Sequence, residues 1–114
     1  MKTSSAKAKG RRLQQYVRDR IRETFGLQED DVQSRSTSAP GEDIMLSPAA
    51  RNKVPLSIEC KNVQRINVWE AWEQAKTNAG EHEPTLVISR NHADVLAVVD
   101  LEFLLDLLHY RTWA

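Results

Sequence analysis

The sequence predicts a single α/β domain, and three observations carry that prediction. Residues 85–89 (TLVIS) and 95–99 (VLAVV) are apolar without interruption, as strands are when helices cover both faces of their sheet. Leu13, Tyr16, Val17, Ile21, Thr24 and Phe25 recur at intervals of three and four, the period of an amphipathic helix. The length of 114 residues suffices for one hydrophobic core and not for two. The elements run helix, three strands, helix, two strands, helix, which makes a mixed central sheet of about five strands flanked by helices.

Residues 1–9, rich in Lys, Ser and Ala, read as a disordered basic arm, and the domain proper as residues 10–114. The first helix begins at Gly10 and stops at Gly26. Residues 32–37 read as a strand, followed by the turn signal SAPGE, and residues 43–46 (DIML) as a second strand. Residues 47–53 read as a loop. Residues 55–60 form a third strand, whose alternation sets Leu56, Ile58 and Cys60 on the core side and Ser57, Glu59 and Lys61 on the other. The second helix spans residues 67–79, with Asn67 as N-cap, Val68, Trp72 and Ala75 as the inward stripe, and Gly80 as its stop. The turn residues RNHAD join the last two strands. Asp100 caps a final helix in which Phe103, Leu104, Leu107 and Leu108 belong mostly to the core, while Tyr110 and Trp113 extend toward a dimer contact.

Charge divides the chain more sharply than its total suggests. The formal net charge is zero, yet residues 1–22 hold eight basic side chains against Asp19 alone, so a basic segment of +7 is joined to a body of −7. A basic helix of this kind suits a polyanion. Arg11, Gln15, Arg18 and Arg22 gather on one helical face, where they would track a phosphate backbone. No apolar run reaches the eighteen or more residues of a membrane span, and no signal-peptide core follows the basic start, so the expectation is no membrane and no export. The single Cys60 excludes an internal disulfide and fits a reducing cytoplasm, and the scattered His82, His92 and His109 make no zinc site.

The chemistry centres on Glu59 and Lys61, spaced Glu-x-Lys on the third strand. Taken alone that spacing is common and equally suits a solvated ion pair. Its company is what counts: Asp43 opens the preceding strand directly after Gly41-Glu42, and an antiparallel hairpin would set it beside Glu59 and Lys61. Two carboxylates and an ammonium are the groups that phosphodiester hydrolysis with a hard divalent cation requires. Gln74 reads equally as a residue facing the same site from the second helix and as an exposed polar residue of that helix. Trp69 and Trp72 read as core or interface packing.

With GED at 41–43, ECK at 59–61 and a basic amphipathic helix ahead of both, the chain resembles the PD-(D/E)XK nucleases, whose core is restriction-endonuclease-like. Within that superfamily it is most similar to Holliday-junction resolvases of archaeal and phage type, through Lys9-Gly10 before the first helix and SRSTS at 34–38 before the Asp. The resemblance implies a magnesium-dependent endodeoxyribonuclease, with Mn²⁺ able to substitute. Asp43, Glu59 and the backbone carbonyl of Cys60 would hold the metal, with Lys61 and Gln14 as further catalytic residues. Lys9, Arg11, Arg12, Arg18, Arg22, Arg35 and Ser38 would bind DNA. It also implies branched double-stranded DNA as partner, a homodimer, and a cytoplasmic setting in a bacterial, archaeal or phage-infected cell. Two departures stand out: Glu42 replaces the family's Pro, and Gln14 stands where those resolvases carry Glu, with Gln15 and Glu23 as the other candidates for that place. The competing readings are another repair, restriction-like or phage recombination nuclease on the same core, and a DNA-binding module without catalysis.

Overall fold

The computed structural model describes residues 3–35 and 40–113. A long first helix, α1 (Thr3–Phe25), leads through a 3-10 turn at Glu29–Asp31 into β1 (Val32–Ser34) and β2 (Ile44–Leu46). A short helix α2 (Pro48–Lys53), β3 (Leu56–Asn62), α3 (Val68–Ala79), β4 (Glu83–Ser89), β5 (Leu96–Val98) and α4 (Leu101–Trp113) complete the chain. The order read from the sequence is present, with α2 added. No described helix is long and apolar enough to cross a membrane.

The helix α1 reaches back to Thr3, so residues 3–9 of the expected arm are helical. Ala and Lys favour helix, and the lone Gly10 costs only about 1 kcal/mol against Ala, too little to stop a helix of 23 residues. The α2 segment, expected as a loop, is too short to show a period, but its start signal is explicit. The Ser47 hydroxyl accepts the Ala50 N–H at 3.1 Å and Pro48 fills the first turn. The same hydroxyl donates to Asp31 at 2.7 Å, which holds that carboxyl below its usual range and ties α2 to the 3-10 turn.

All five strands exist, but in two sheets rather than one central sheet. β3 pairs parallel with β4 from Leu56↔Glu83 to Asn62↔Ser89, and β4 pairs antiparallel with β5. β1 and β2 form a separate antiparallel pair. The division falls at Asp43, where the backbone N–H donates to the Ile58 carbonyl at 2.9 Å. Its carboxylate then accepts the Cys60 N–H at 2.6 Å, so a side chain replaces the next backbone rung and the ladder ends there.

The parallel pair β3–β4 requires a crossover, and α3 supplies it. Asn67 caps α3 through the Glu70 N–H at 3.1 Å, and Gly80 ends it at φ +58. The buried stripe of α3 is Ala71, Ala75 and Ala79, displaced from the expected Val68–Trp72–Ala75 line; Trp72 is half-buried and Trp69 lies open to solvent. Small side chains on this stripe let the helix lie close over Leu86 and the Ser57–Glu59 face of β3. The opposite face carries Ile58, Cys60 and Val87 against Leu13, Val17 and Ile21 of α1, with Val32, Ile44 and Val54 closing the core.

The α4 helix departs furthest from expectation. Leu104, Leu107 and Leu108, expected in the core, are exposed, as are Leu101, Leu105 and Tyr110, and Phe103 alone of the four is half-buried. The Trp113 side chain lies outside the described residues. With only Val99 and Asp100 between β5 and α4, the helix runs off the strand end instead of returning over the sheet.

Candidate active site

The cleft that matters lies between the N-terminal half of α1, the Gly41 turn, β3 and α3. It encloses about 520 Å³ and is lined by Gln14, Asp43, Glu59, Cys60, Lys61 and Gln74, the residues that sequence reasoning had named, together with Lys7, Gly10 and Asn78.

Each wall places its residue for a local reason. Asp43 is locked by its two bonds to β3. The turn before it is held by Arg35, whose backbone N–H donates to the Asp43 carbonyl at 2.8 Å and whose Nε donates to the Glu42 carbonyl at 2.7 Å. Gly41 sits at φ +104, and a Cβ there would come within 3.3 Å of the Arg35 guanidinium. Glu42, just before Asp43, has a structural part: it forms an ion pair with Arg51, which in turn donates to the Leu56 carbonyl at 2.7 Å. Gly41→Ala combines a strained φ with a displaced guanidinium, and the expected result in a chemical denaturation series is a loss of about 2 kcal/mol.

Glu59 was expected to face away from the core. It does leave the α1 side, but α3 covers it, and only 4% of its surface is exposed. Asn78 donates to its Oε1 at 2.7 Å. Burial, and then the neighbouring Asp43 charge, raise the Glu59 carboxyl to about 7 against the opposing bond from Asn78 and the charge of Lys61. Asp43 is raised as well, chiefly by burial, while the Cys60 N–H and Lys61 pull it down. The two carboxyls are hydrogen-bonded to each other in a way that favours the ionised form of Asp43 and disfavours that of Glu59. One proton shared by the pair, resting on Glu59, accounts for both directions.

Lys61 lines the same cleft, and among the described residues no carboxylate lies within ion-pair distance of its ammonium. The bland alternative of a Glu59–Lys61 ion pair is thereby removed. The Cys60 thiol is pushed far up by burial and the two nearby carboxylates, so it stays protonated and inert as a nucleophile. Its backbone belongs to the cleft wall. Ser57 is fully buried on the Glu59 face and its hydroxyl has no partner. Ser57→Ala removes that stranded group, and thermal unfolding should show a gain of about 1 kcal/mol.

The basic residues have mixed fates. Arg11 and Arg12 are exposed on α1, and Lys9 is half-buried with its carbonyl accepting from Asn62 at 3.4 Å. Arg18 pairs with Asp19 at 2.9 Å. Arg22 is engaged by the fold: it donates to the carbonyls of Val32 at 2.6 Å and Glu29 at 3.0 Å, joining α1 to β1. Arg35 serves the Asp43 turn as described, and Ser38 lies outside the described residues. Gln14 is buried in the cleft wall, whereas Gln15 and Glu23 are exposed and outside the cleft lining.

Asn78 and Lys7 line the cleft and were not singled out from the sequence. Asn78 stands four residues after Gln74 on the same helical face, a spacing that was available. Lys7 and Gly10 are one helical turn apart, a relation hidden once residues 1–9 are taken as an arm.

Chemically, two carboxylates and amide oxygens facing one space form the oxygen donor set that a hard divalent cation takes. Carboxylates in contact at a buried site need a proton or a cation between them, and the raised Glu59 shows that need. Among the described residues no group of three or more His, Cys, Asp or Glu side chains gathers, so remaining ligands would come from amide, backbone or substrate oxygens. No family model, no curated protein and no solved structure matches the chain.

Proposed function

We propose that the chain is a divalent-metal-dependent endodeoxyribonuclease of PD-(D/E)XK type that cuts branched double-stranded DNA, as Holliday-junction resolvases do, and that it acts as a homodimer. The observation carrying this reading is the meeting of Asp43, Glu59, Lys61 and Gln14 in one cleft from three separate elements. On this reading the three-stranded and two-stranded sheets correspond to one mixed restriction-endonuclease-like core, interrupted where Asp43 bonds to β3.

Asp43 and Glu59 would hold Mg²⁺ or Mn²⁺, with the Gln14 amide oxygen and the Cys60 carbonyl as further donors. When bound, the ion neutralises charge on the scissile phosphate and makes a water nucleophilic near neutral pH. Lys61 holds a phosphate oxygen or the attacking water as a point charge. Asn78 orients Glu59, so that its oxygens face the cleft. Water adds to phosphorus, one P–O bond of the backbone breaks, and the departing oxygen takes up a proton. Lys7, Lys9, Arg11 and Arg12 lie along α1 where backbone phosphates would run, and binding through them falls steeply with salt and reads no sequence.

The second reading, a DNA-binding module without catalysis, draws on Gln14, since an amide is a weaker metal ligand than a carboxylate. Labelled four-way junction, linear duplex and single strands, each with Mg²⁺ or EDTA, separate the readings. Paired, metal-dependent nicks in the junction alone support resolution. Equal cutting of linear duplex indicates a different nuclease, and junction binding without cutting indicates the module.

A further inference from the structure

Parallel strands joined by a helix open a crevice at their carboxyl ends, and ligands of open α/β sheets bind there. Here β3 ends at Asn62 and β4 at Ser89, and a cavity of about 560 Å³ lies just past both ends, within the roughly 300–1,000 Å³ of small-molecule sites. It shares no lining residue with the active cleft. Ile88 and Leu96, register partners on β4 and β5, give it an apolar floor, and Val63 and Ile66 line it from the loop after β3. Two hydrogen bonds fix its rim. The Asn91 N–H donates to the Gln64 side-chain oxygen at 3.2 Å, tying the β4–β5 turn to the loop after β3. The Ala93 N–H donates to the Arg90 carbonyl at 3.2 Å and closes that turn, with His92 at φ 57, so Arg90 and Asp94 stand at its two feet, both on the cavity.

The charged groups of the lining are Arg65, Arg90 and Asp94, and none of them makes an ion pair with a described residue. Two guanidinium forks match an anion with several oxygens, above all a phosphate. A floor made by two side-by-side strand residues suits a flat body with apolar faces. Asp94 only accepts hydrogen bonds, so it repels a second anionic group and takes an N–H, as acidic side chains take the exocyclic amine of cytosine. A fatty acid brings no donor for Asp94, and an acidic peptide brings it further carboxylates. We infer that this cavity binds one nucleotide, its amino-bearing base on the Ile88–Leu96 floor and against Asp94, its phosphate on Arg65 and Arg90. The site goes beyond the nuclease reading and requires no cleavage. Its ligand comes free in solution or as an unpaired nucleotide of a DNA strand, and Ile88 lies directly across from Lys61 in the β3–β4 register, one strand away from the cleft.

Calorimetric titration of the full chain with dCMP in EDTA is expected to show one site per chain. Deoxycytidine, which lacks the phosphate, and dUMP, which differs from dCMP in lacking the exocyclic amine, should each bind about tenfold more weakly or worse. Arg65→Ala/Arg90→Ala should fold as wild type, since both side chains are exposed and without an ion-pair partner, and should lose dCMP affinity by the same factor, whereas Lys61→Ala keeps it. A duplex with a single bulged cytosine separates the two sources. Tighter binding than to the fully paired duplex, lost in the double variant, identifies a nucleotide held in a strand; dCMP binding without that preference identifies the free nucleotide. The inference is overturned if dCMP does not bind, if the double variant binds it as wild type does, if deoxycytidine or dUMP binds equally well, or if dodecanoate binds and dCMP does not displace it.

Discussion

On the proposed nuclease reading, Asp43→Asn is expected to lower Mg²⁺-dependent cleavage of a four-way junction by about 10³-fold or more, roughly 4 kcal/mol of barrier, while leaving junction affinity within a few-fold of wild type. The reasoning joins two roles of one side chain. As a structural group Asp43 accepts the Cys60 N–H at 2.6 Å, and the Asn carbonyl oxygen accepts it equally, so the contact between β2 and β3 persists. As a chemical group it loses the negative charge that a cation requires, and no other carboxylate except Glu59 lines the cleft. Single-turnover cleavage and filter binding on the same preparation give the two readouts. Wild-type cutting by Asp43→Asn would falsify the site assignment. Lys61→Ala should lose activity as well, with stability little changed, because the Lys61 ammonium has no described ion-pair partner to strand.

Without metal the protein is expected to lose stability as pH rises from about 4.5 through 7, and on the proposed reading Mg²⁺ should restore it. Glu59 is the cause: its carboxyl in the fold is raised to about 7 from 4.5. The folded state therefore binds a proton that the unfolded chain has released, and stability falls with pH wherever that is so. The contribution is complete below pH 4.5 and gone once pH exceeds 7, and the raised Asp43 acts in the same direction. Its size is on the order of 1–3 kcal/mol. Glu59→Gln cannot ionise and should flatten the profile, so denaturant midpoints measured at pH 5 and pH 8 should differ in wild type and coincide in the variant. Above pH 7 a cation takes the place of the lost proton, so Mg²⁺ should raise the wild-type midpoint by mass action and leave Asp43→Asn unmoved. Equal midpoints at both pH values in wild type would contradict the shared-proton arrangement.

What could be read in the sequence was whatever had a period or a punctuation mark. Asn67 and Gly80 bracketed α3 correctly because a cap and a stop are local chemistry. Asp43, Glu59 and Lys61 could be brought together on paper because strand order and alternation decide which residues meet at one sheet edge. The split between the two sheets was invisible, since it depends on a carboxylate taking a backbone rung, a choice made in three dimensions. Glu59 under α3 was invisible for a similar reason: alternation tells which side of a strand a residue is on, not what covers that side. The exposed leucines of α4 show the reverse error, because an apolar helix announces that it will be covered without saying by which chain. Arg22 and Arg35 looked like free cations, and carbonyls 7–10 residues distant in sequence claimed them.

One wall of the cleft is made from a lightly held stretch of helix. The opening turns of α1 carry Lys7 and Lys9 and no acidic residue at all in the first turn, so positive side chains crowd the positive end of a helix dipole. The side chains of Ser5, Ala6 and Lys7 are exposed, and the described tie from these turns to the sheet is the long bond from Asn62 to the Lys9 carbonyl. Such a segment unwinds at little cost in free energy when it stands alone and winds tightly when a string of negative charges lies beside it. Amide hydrogen exchange over residues 5–10 would then report occupancy of the cleft: winding of the helix and arrival of the polyanion become a single event, and raising the salt reverses both together.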